Sequence, residues 1–168
     1  LGLESLARRT ILRQPQTINA ENIAPDVPVV AVKGGDMMEK EPYILVVDDD
    51  PDILEGILVI LESQPYRVAT ARDGKKCMEM IEQEAPDVLI LDLLMPRMDG
   101  WGVIREMRSE PRYASVPIMI LTTVIEDASR RRYELETGMG MDVQDYVQKP
   151  VRPGELLRRI EKLLESHA

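Results

Sequence analysis

In this chain, short apolar runs are followed at two places by aspartates and at two more by a threonine and a lysine. Ile44-Leu45-Val46-Val47 leads into Asp48, Asp49 and Asp50, and Val88-Leu89-Ile90-Leu91 into Asp92. Ile118-Met119-Ile120-Leu121 leads into Thr122, and Tyr146-Val147 is followed by Lys149-Pro150. If each run is a strand of one parallel sheet, these side chains share its carboxyl edge, where α/β proteins build their sites. Carboxylates gathered there repel one another, and a hard divalent cation such as Mg²⁺, which takes oxygen ligands, resolves the conflict. An ammonium and a hydroxyl suit phosphoryl oxygens. The set predicts phosphoryl transfer, with a carboxylate attacking phosphorus while the cation and the ammonium neutralise the equatorial oxygens. Asp92, alone at its strand end, is the expected nucleophile, and Asp48 and Asp49 are expected to hold the metal.

Each residue also has a plainer role. A single aspartate at a strand end is more often a cap than a ligand, and Asp50 and Asp52 are expected to cap the following helix. Asp73 and Asp99 are expected to turn the chain before Gly74 and Gly100. Thr122 alone would be a strand terminus and Lys149 an exposed lysine. Cys77 reads as a buried helix residue without a redox role. The order of the set, each member after its own strand, carries the functional reading.

The elements that must position these residues alternate along the chain. Strands are expected at Ile44–Val47, Val68–Ala71, Val88–Leu91, Ile118–Leu121 and Asp145–Val147. Helices are expected after Pro51, after Gly74, from Trp101 to Met107, over Ala128–Glu136 and from Pro153 onward. The last carries Leu156, Leu157, Ile160, Leu163 and Leu164 at helical spacing. Five strands alternating with five helices predict an α/β fold with a doubly wound five-stranded parallel sheet. Near-continuous apolar strands agree with burial on both faces.

Residues 1–40 form an N-terminal extension or linker. Leu3, Leu6, Ala7, Thr10 and Ile11 could line a short helix, residues 14–26 are polar, Val27–Val32 has strand character, and Gly34-Gly35 is a hinge. Five acids balance five bases there, so residues 41–168, with 25 acids and 16 bases, carry the whole net charge of −9. That field opposes direct nucleic acid binding. No apolar run is long enough for a bilayer, so no membrane association is expected, and the expected location is cytoplasmic. One cysteine excludes an internal disulfide, and one histidine, His167, excludes a zinc cluster or a histidine triad.

Residues 42–166 resemble the receiver domains of bacterial response regulators, the chemotaxis-regulator-like family of two-component signal transduction. The resemblance rests on Ile44–Asp50, on Asp87–Gly100 with its Leu91-Asp92-Leu93-Leu94-Met95-Pro96-Arg97-Met98-Asp99-Gly100, on Pro117–Thr122 and on Asp145–Pro150. It implies a flavodoxin-like (βα)5 receiver fold over 41–168. Asp92 would then be the phosphorylated residue, with Asp48, Asp49, Asp92 and the carbonyl of Leu94 around Mg²⁺. Thr122 would move toward the phosphoryl group, Lys149 would pair with it, and Tyr146 would be the aromatic switch that rotates with Thr122. Departures are Val151 in place of an aromatic after Lys149-Pro150 and a longer Thr122–Lys149 connection around Gly140. Leu94 and Val124 are apolar where the family's polar residues assist hydrolysis, which implies a long-lived phosphoaspartate.

The resemblance further implies a sensor histidine kinase or phosphotransfer protein as partner and leaves room for a homodimer through the face from the fourth helix to the last. The expected role is a phosphoryl-accepting switch, stand-alone or within a phosphorelay. Catalysis would be limited to autophosphorylation from small donors and autodephosphorylation. The competing readings are a scaffold receiver that works without phosphorylation and a phosphoaspartate-forming phosphatase. The second would need a leaving-group acid and a substrate cap, whereas Leu93 and Leu94 follow Asp92.

Overall fold

The computed structural model describes residues 40–168. Expectations for residues 1–39 (the short helix, the polar linker, the Val27–Val32 strand and the Gly34-Gly35 hinge) lie outside the described residues.

The three central strands alternate their side chains between two apolar layers, which explains why their runs are continuous rather than alternating. Strand β1 (Tyr43–Val47) sends Tyr43, Leu45 and Val47 to one face and Ile44 and Val46 to the other. Strands β3 (Val88–Leu91) and β4 (Ile118–Thr122) repeat the division, with Leu89, Leu91, Ile118 and Ile120 opposite Val88, Ile90, Met119 and Leu121. Strands β2 (Arg67–Ala71) and β5 (Asp145–Gln148) are the edges of a sheet ordered β2-β1-β3-β4-β5, all pairs parallel.

Helices α1 (Pro51–Leu61) and α5 (Pro153–His167) cover one face through Leu54, Ile57, Leu61, Leu156, Ile160 and Leu163. Helices α2 (Gly74–Gln83), α3 (Gly100–Ser109) and α4 (Glu126–Thr137) contribute Cys77, Met78, Ile81, Trp101, Ile104 and Tyr133 to the other core. Fully burying one such aliphatic side chain stabilises the fold by roughly 1.5–3 kcal/mol before the entropy of ordering it is subtracted. Cys77 is buried on α2, and burial pushes its thiol up to about 12.

Local signals set the helix starts. Asp50 caps α1 by accepting the Asp52 N–H at 2.9 Å, with Pro51 in the first turn. Asp52 itself does not cap: it lies inside the first turn, where a carboxylate favours the positive end of the helix dipole. Asp73 and Asp99 do more than turn the chain, since they cap α2 and α3 by accepting from Lys76 N–H at 2.8 Å and Gly102 N–H at 2.9 Å. Helix α4 begins two residues earlier than expected, at Glu126, and buries only Ser129 and Tyr133. So polar a segment carries little periodicity to mark its ends. It stops at Gly138, whose φ of +70° is the left-handed cap position that glycine adopts without cost. Met141 then packs into the core while Met139 stays exposed.

Candidate functional site

The chain reverses its direction of growth at β1, which pairs with β2 on one side and β3 on the other. A crevice opens beyond the carboxyl ends of β1 and β3, the usual place for a site in an open α/β sheet. Asp48, Asp92, Thr122 and Lys149 each stand at or one step past the end of a strand, and Asp49 lies one residue further along. Asp48 N–H donates to the Ala71 carbonyl at 3.1 Å, Asp92 N–H to the Val47 carbonyl at 2.9 Å, and Lys149 N–H to the Thr122 carbonyl at 2.8 Å. These side chains are therefore held by an extension of the sheet's own hydrogen-bond ladder, and the Lys149–Pro150 peptide is cis.

The three acids expected to converge do so. Asp48, Asp49 and Asp92 each bring a carboxylate oxygen within 4.8 Å of the others. Asp48 and Asp92 are 2% and 6% exposed, while Asp49 faces solvent. The Lys149 ammonium reaches Asp48 Oδ2 at 2.5 Å and Asp92 Oδ2 at 3.5 Å, so it is partly buried rather than a free surface lysine. Thr122 is fully buried at the end of β4, where its Oγ1 accepts the Val124 N–H at 3.5 Å. Leu94 is 49% exposed, and its N–H donates to Asp92 Oδ1 at 3.4 Å.

Burial pushes the Asp48 carboxyl above the usual carboxylate range, and the negative Asp92 adds to this. Hydrogen bonds from Lys149 and from the Asp50 N–H, at 3.0 Å, together with the Lys149 charge, pull it back without cancelling the rise. At Asp48, burial thus outweighs the single ammonium. The donor set of hard carboxylate oxygens, two buried and one open to water, fits Mg²⁺, which keeps part of its water shell.

Tyr146 is half-buried on the edge strand β5, and its hydroxyl is engaged. It donates to the Val124 carbonyl at 3.0 Å and lies 2.6 Å from Ser129 Oγ. Ser129 also offers its carbonyl to the Trp101 indole N–H at 3.3 Å. A serine inside a polar helix gave no sign of this in the sequence. Arg97 was likewise unmarked. It takes a φ of 66° in the β3–α3 loop and ion-pairs with Asp73. Val151 is half-buried against the α1/α5 core.

A five-stranded parallel sheet in (βα)5 order, with acids at the crevice and Thr and Lys-Pro after the last two strands, defines a receiver-type phosphoacceptor domain. The family model for the response regulator receiver domain matches residues 44–161, and the chain belongs to that family. Among curated relatives, it is 35% identical over 125 residues to the DNA-binding dual master transcriptional regulator RpaA of Synechocystis, covering 73% of this chain and 49% of that one. It is 33% identical over 153 residues to the sensor histidine kinase TmoS of Ectopseudomonas mendocina, covering 89% of this chain and 15% of that one. The chain thus spans about half or less of these relatives' length. Among solved structures it is similar to the receiver domain of the sensor histidine kinase PA1611 of Pseudomonas aeruginosa PAO1, with a magnesium ion coordinated in its active-site cleft. That match has TM-score 0.66 and 29% identity, over 74% of this chain and 98% of that one. The Asp48–Asp49–Asp92 cluster is analogous to that magnesium site. No described helix is long and apolar enough to cross a membrane.

Proposed function

We propose that this domain accepts a phosphoryl group on Asp92 in a Mg²⁺-dependent reaction and signals through its partner-binding face. The observation that carries the reading is the convergence of three carboxylates at one sheet edge with Lys149 between Asp48 and Asp92. Asp48, Asp49, Asp92 and the Leu94 carbonyl would hold the cation, which neutralises charge on the phosphoryl oxygens when bound. An Asp92 carboxylate oxygen forms the new bond to phosphorus as the bond to the donor breaks, and the donor leaves with the electron pair. Lys149 pairs with the phosphoryl oxygens, Thr122 donates its hydroxyl to one of them, and Tyr146 follows Thr122 through the Val124 segment that both residues contact.

The phosphodonor is a sensor histidine kinase or a phosphotransfer protein, as for related receivers. The face formed by α4, β5 and α5 serves as the homodimer surface. The exposed Leu135 on α4 supports this. The strongly acidic charge supports a domain that does not itself touch nucleic acid. Residues 1–40 would be a linker-like extension and 41–168 the receiver.

The test is incubation with a small acyl phosphate, with Mg²⁺ or with chelator, for the wild type and Asp92→Asn. A phosphoryl-group mass gain confined to the wild type with Mg²⁺ is expected. Equal labelling of Asp92→Asn, or labelling in chelator, contradicts the reading.

A further inference from the structure

Arg97 holds a backbone conformation that costs an L-residue energy and that glycine, asparagine or aspartate adopt more readily. Its guanidinium ion-pairs with Asp73, across the gap between the β3–α3 loop and the start of α2. Asp73 is buried and fully used: Oδ1 accepts the Lys76 N–H at 2.8 Å, and Oδ2 takes Arg97. Beside this pair, Gly74 N–H donates to the Met98 carbonyl at 3.2 Å. A Cβ on Gly74 would meet that carbonyl oxygen at 2.5 Å, so loop and helix touch backbone to backbone. The other end of the loop closes on the phosphoacceptor strand. Gly100 N–H donates to the Leu93 carbonyl at 3.0 Å, and a Cβ there would meet the Asp92 carbonyl oxygen at 2.4 Å. The loop between these anchors carries Leu94.

We propose that Arg97 and Asp73 are positioning residues for the cation site, their ion pair holding the left-handed turn that fixes the loop bearing the Leu94 carbonyl. The inference rests on the Mg²⁺-dependent reading above. An exposed ion pair between two flexible side chains is worth little. This one differs, because one partner is a buried helix cap and the other sits on a backbone turn that would otherwise relax.

The experiment titrates Mg²⁺ into the full chain, following the single tryptophan, Trp101, which lies next to Gly100. Arg97→Gln, Asp73→Asn, the double variant and Arg97→Lys are compared with the wild type, and each is then labelled at Asp92 with saturating Mg²⁺. Asparagine keeps the cap acceptor of Asp73 while removing its charge. The expected result is Mg²⁺ affinity weakened about threefold to tenfold in both single variants, with no further loss in the double. Labelling at saturating Mg²⁺ should stay near wild type, and Arg97→Lys should recover part of the affinity. Unchanged Mg²⁺ affinity in Arg97→Gln and Asp73→Asn, beside a wild type that binds and labels, overturns this inference alone. A wild type that neither binds Mg²⁺ nor labels overturns the phosphoacceptor reading and this inference with it.

Discussion

The hydroxyl oxygens of Tyr146 and Ser129 lie 2.6 Å apart, joining β5 to α4 inside the face that would meet partners. Because Tyr146 donates to the Val124 carbonyl at 3.0 Å, the Ser129 hydroxyl is left to donate to the Tyr146 oxygen. Ser129→Ala and Tyr146→Phe should each lower stability by about 1 kcal/mol. The double variant should show coupling of about 0.5 kcal/mol or more. Chemical denaturation of the four proteins checks this. Additive losses would mean that the two hydroxyls do not act as a pair.

Lys149 is the only cation that an ion pair links to Asp48 or Asp92 among the described residues. Replacing it by methionine leaves Asp48 buried with its charge uncompensated, at a cost of about 2 kcal/mol at neutral pH. Asp48→Asn in the same chain should recover most of that loss, since the unpaired charge is then gone. Urea midpoints for the single and double variants measure the effect. A double variant less stable than Lys149→Met would contradict it.

Acid stability should depend on Asp73. The Lys76 N–H and then the Arg97 guanidinium hold its carboxyl below the usual carboxylate range. A depressed folded-state pKa means that the stabilisation is complete above the unfolded value, near 3.8, and fades as pH falls through the lower folded value. Asp73→Asn should therefore flatten the acid limb of the stability curve below about pH 4. Thermal melts between neutral pH and this region will show it. An acid limb identical to that of the wild type would contradict it.

How much of this was legible in the sequence varied with the kind of force at work. Continuous apolar runs mark strands buried on both faces, so Ile44–Val47 and Val88–Leu91 coincide with β1 and β3 to within a residue, and the acids follow directly. Asp73-Gly74 and Asp99-Gly100 marked turns, but that each aspartate caps a helix depended on the backbone direction beyond it. Helix α4 was blurred because its sequence is charged on nearly every side. Ser129 and Arg97 were invisible for a different reason. Their roles come from partners 17 and 24 residues away, Tyr146 and Asp73, and no local pattern records such a meeting.

Leu94 is exposed and Val124 half-buried, and neither offers a group that could orient a water toward phosphorus. The phosphoaspartate should therefore decay slowly. Leu94→Asn or Val124→Glu should speed the loss by about tenfold or more by adding a group able to hold that water. Phosphorus NMR after removal of the donor follows the decay. Wild-type loss within seconds, or no change in either variant, would refute the idea.

Whether Asp92 carries the phosphoryl group is decided by chemical trapping. The chain is treated with an acyl phosphate and Mg²⁺, reduced with borohydride, and mapped by peptide mass spectrometry. Reduction of an acyl phosphate converts the aspartate to homoserine, and that conversion is expected at residue 92 and nowhere else. Homoserine at Asp48 or Asp49, or no conversion under conditions that bind Mg²⁺, would contradict it.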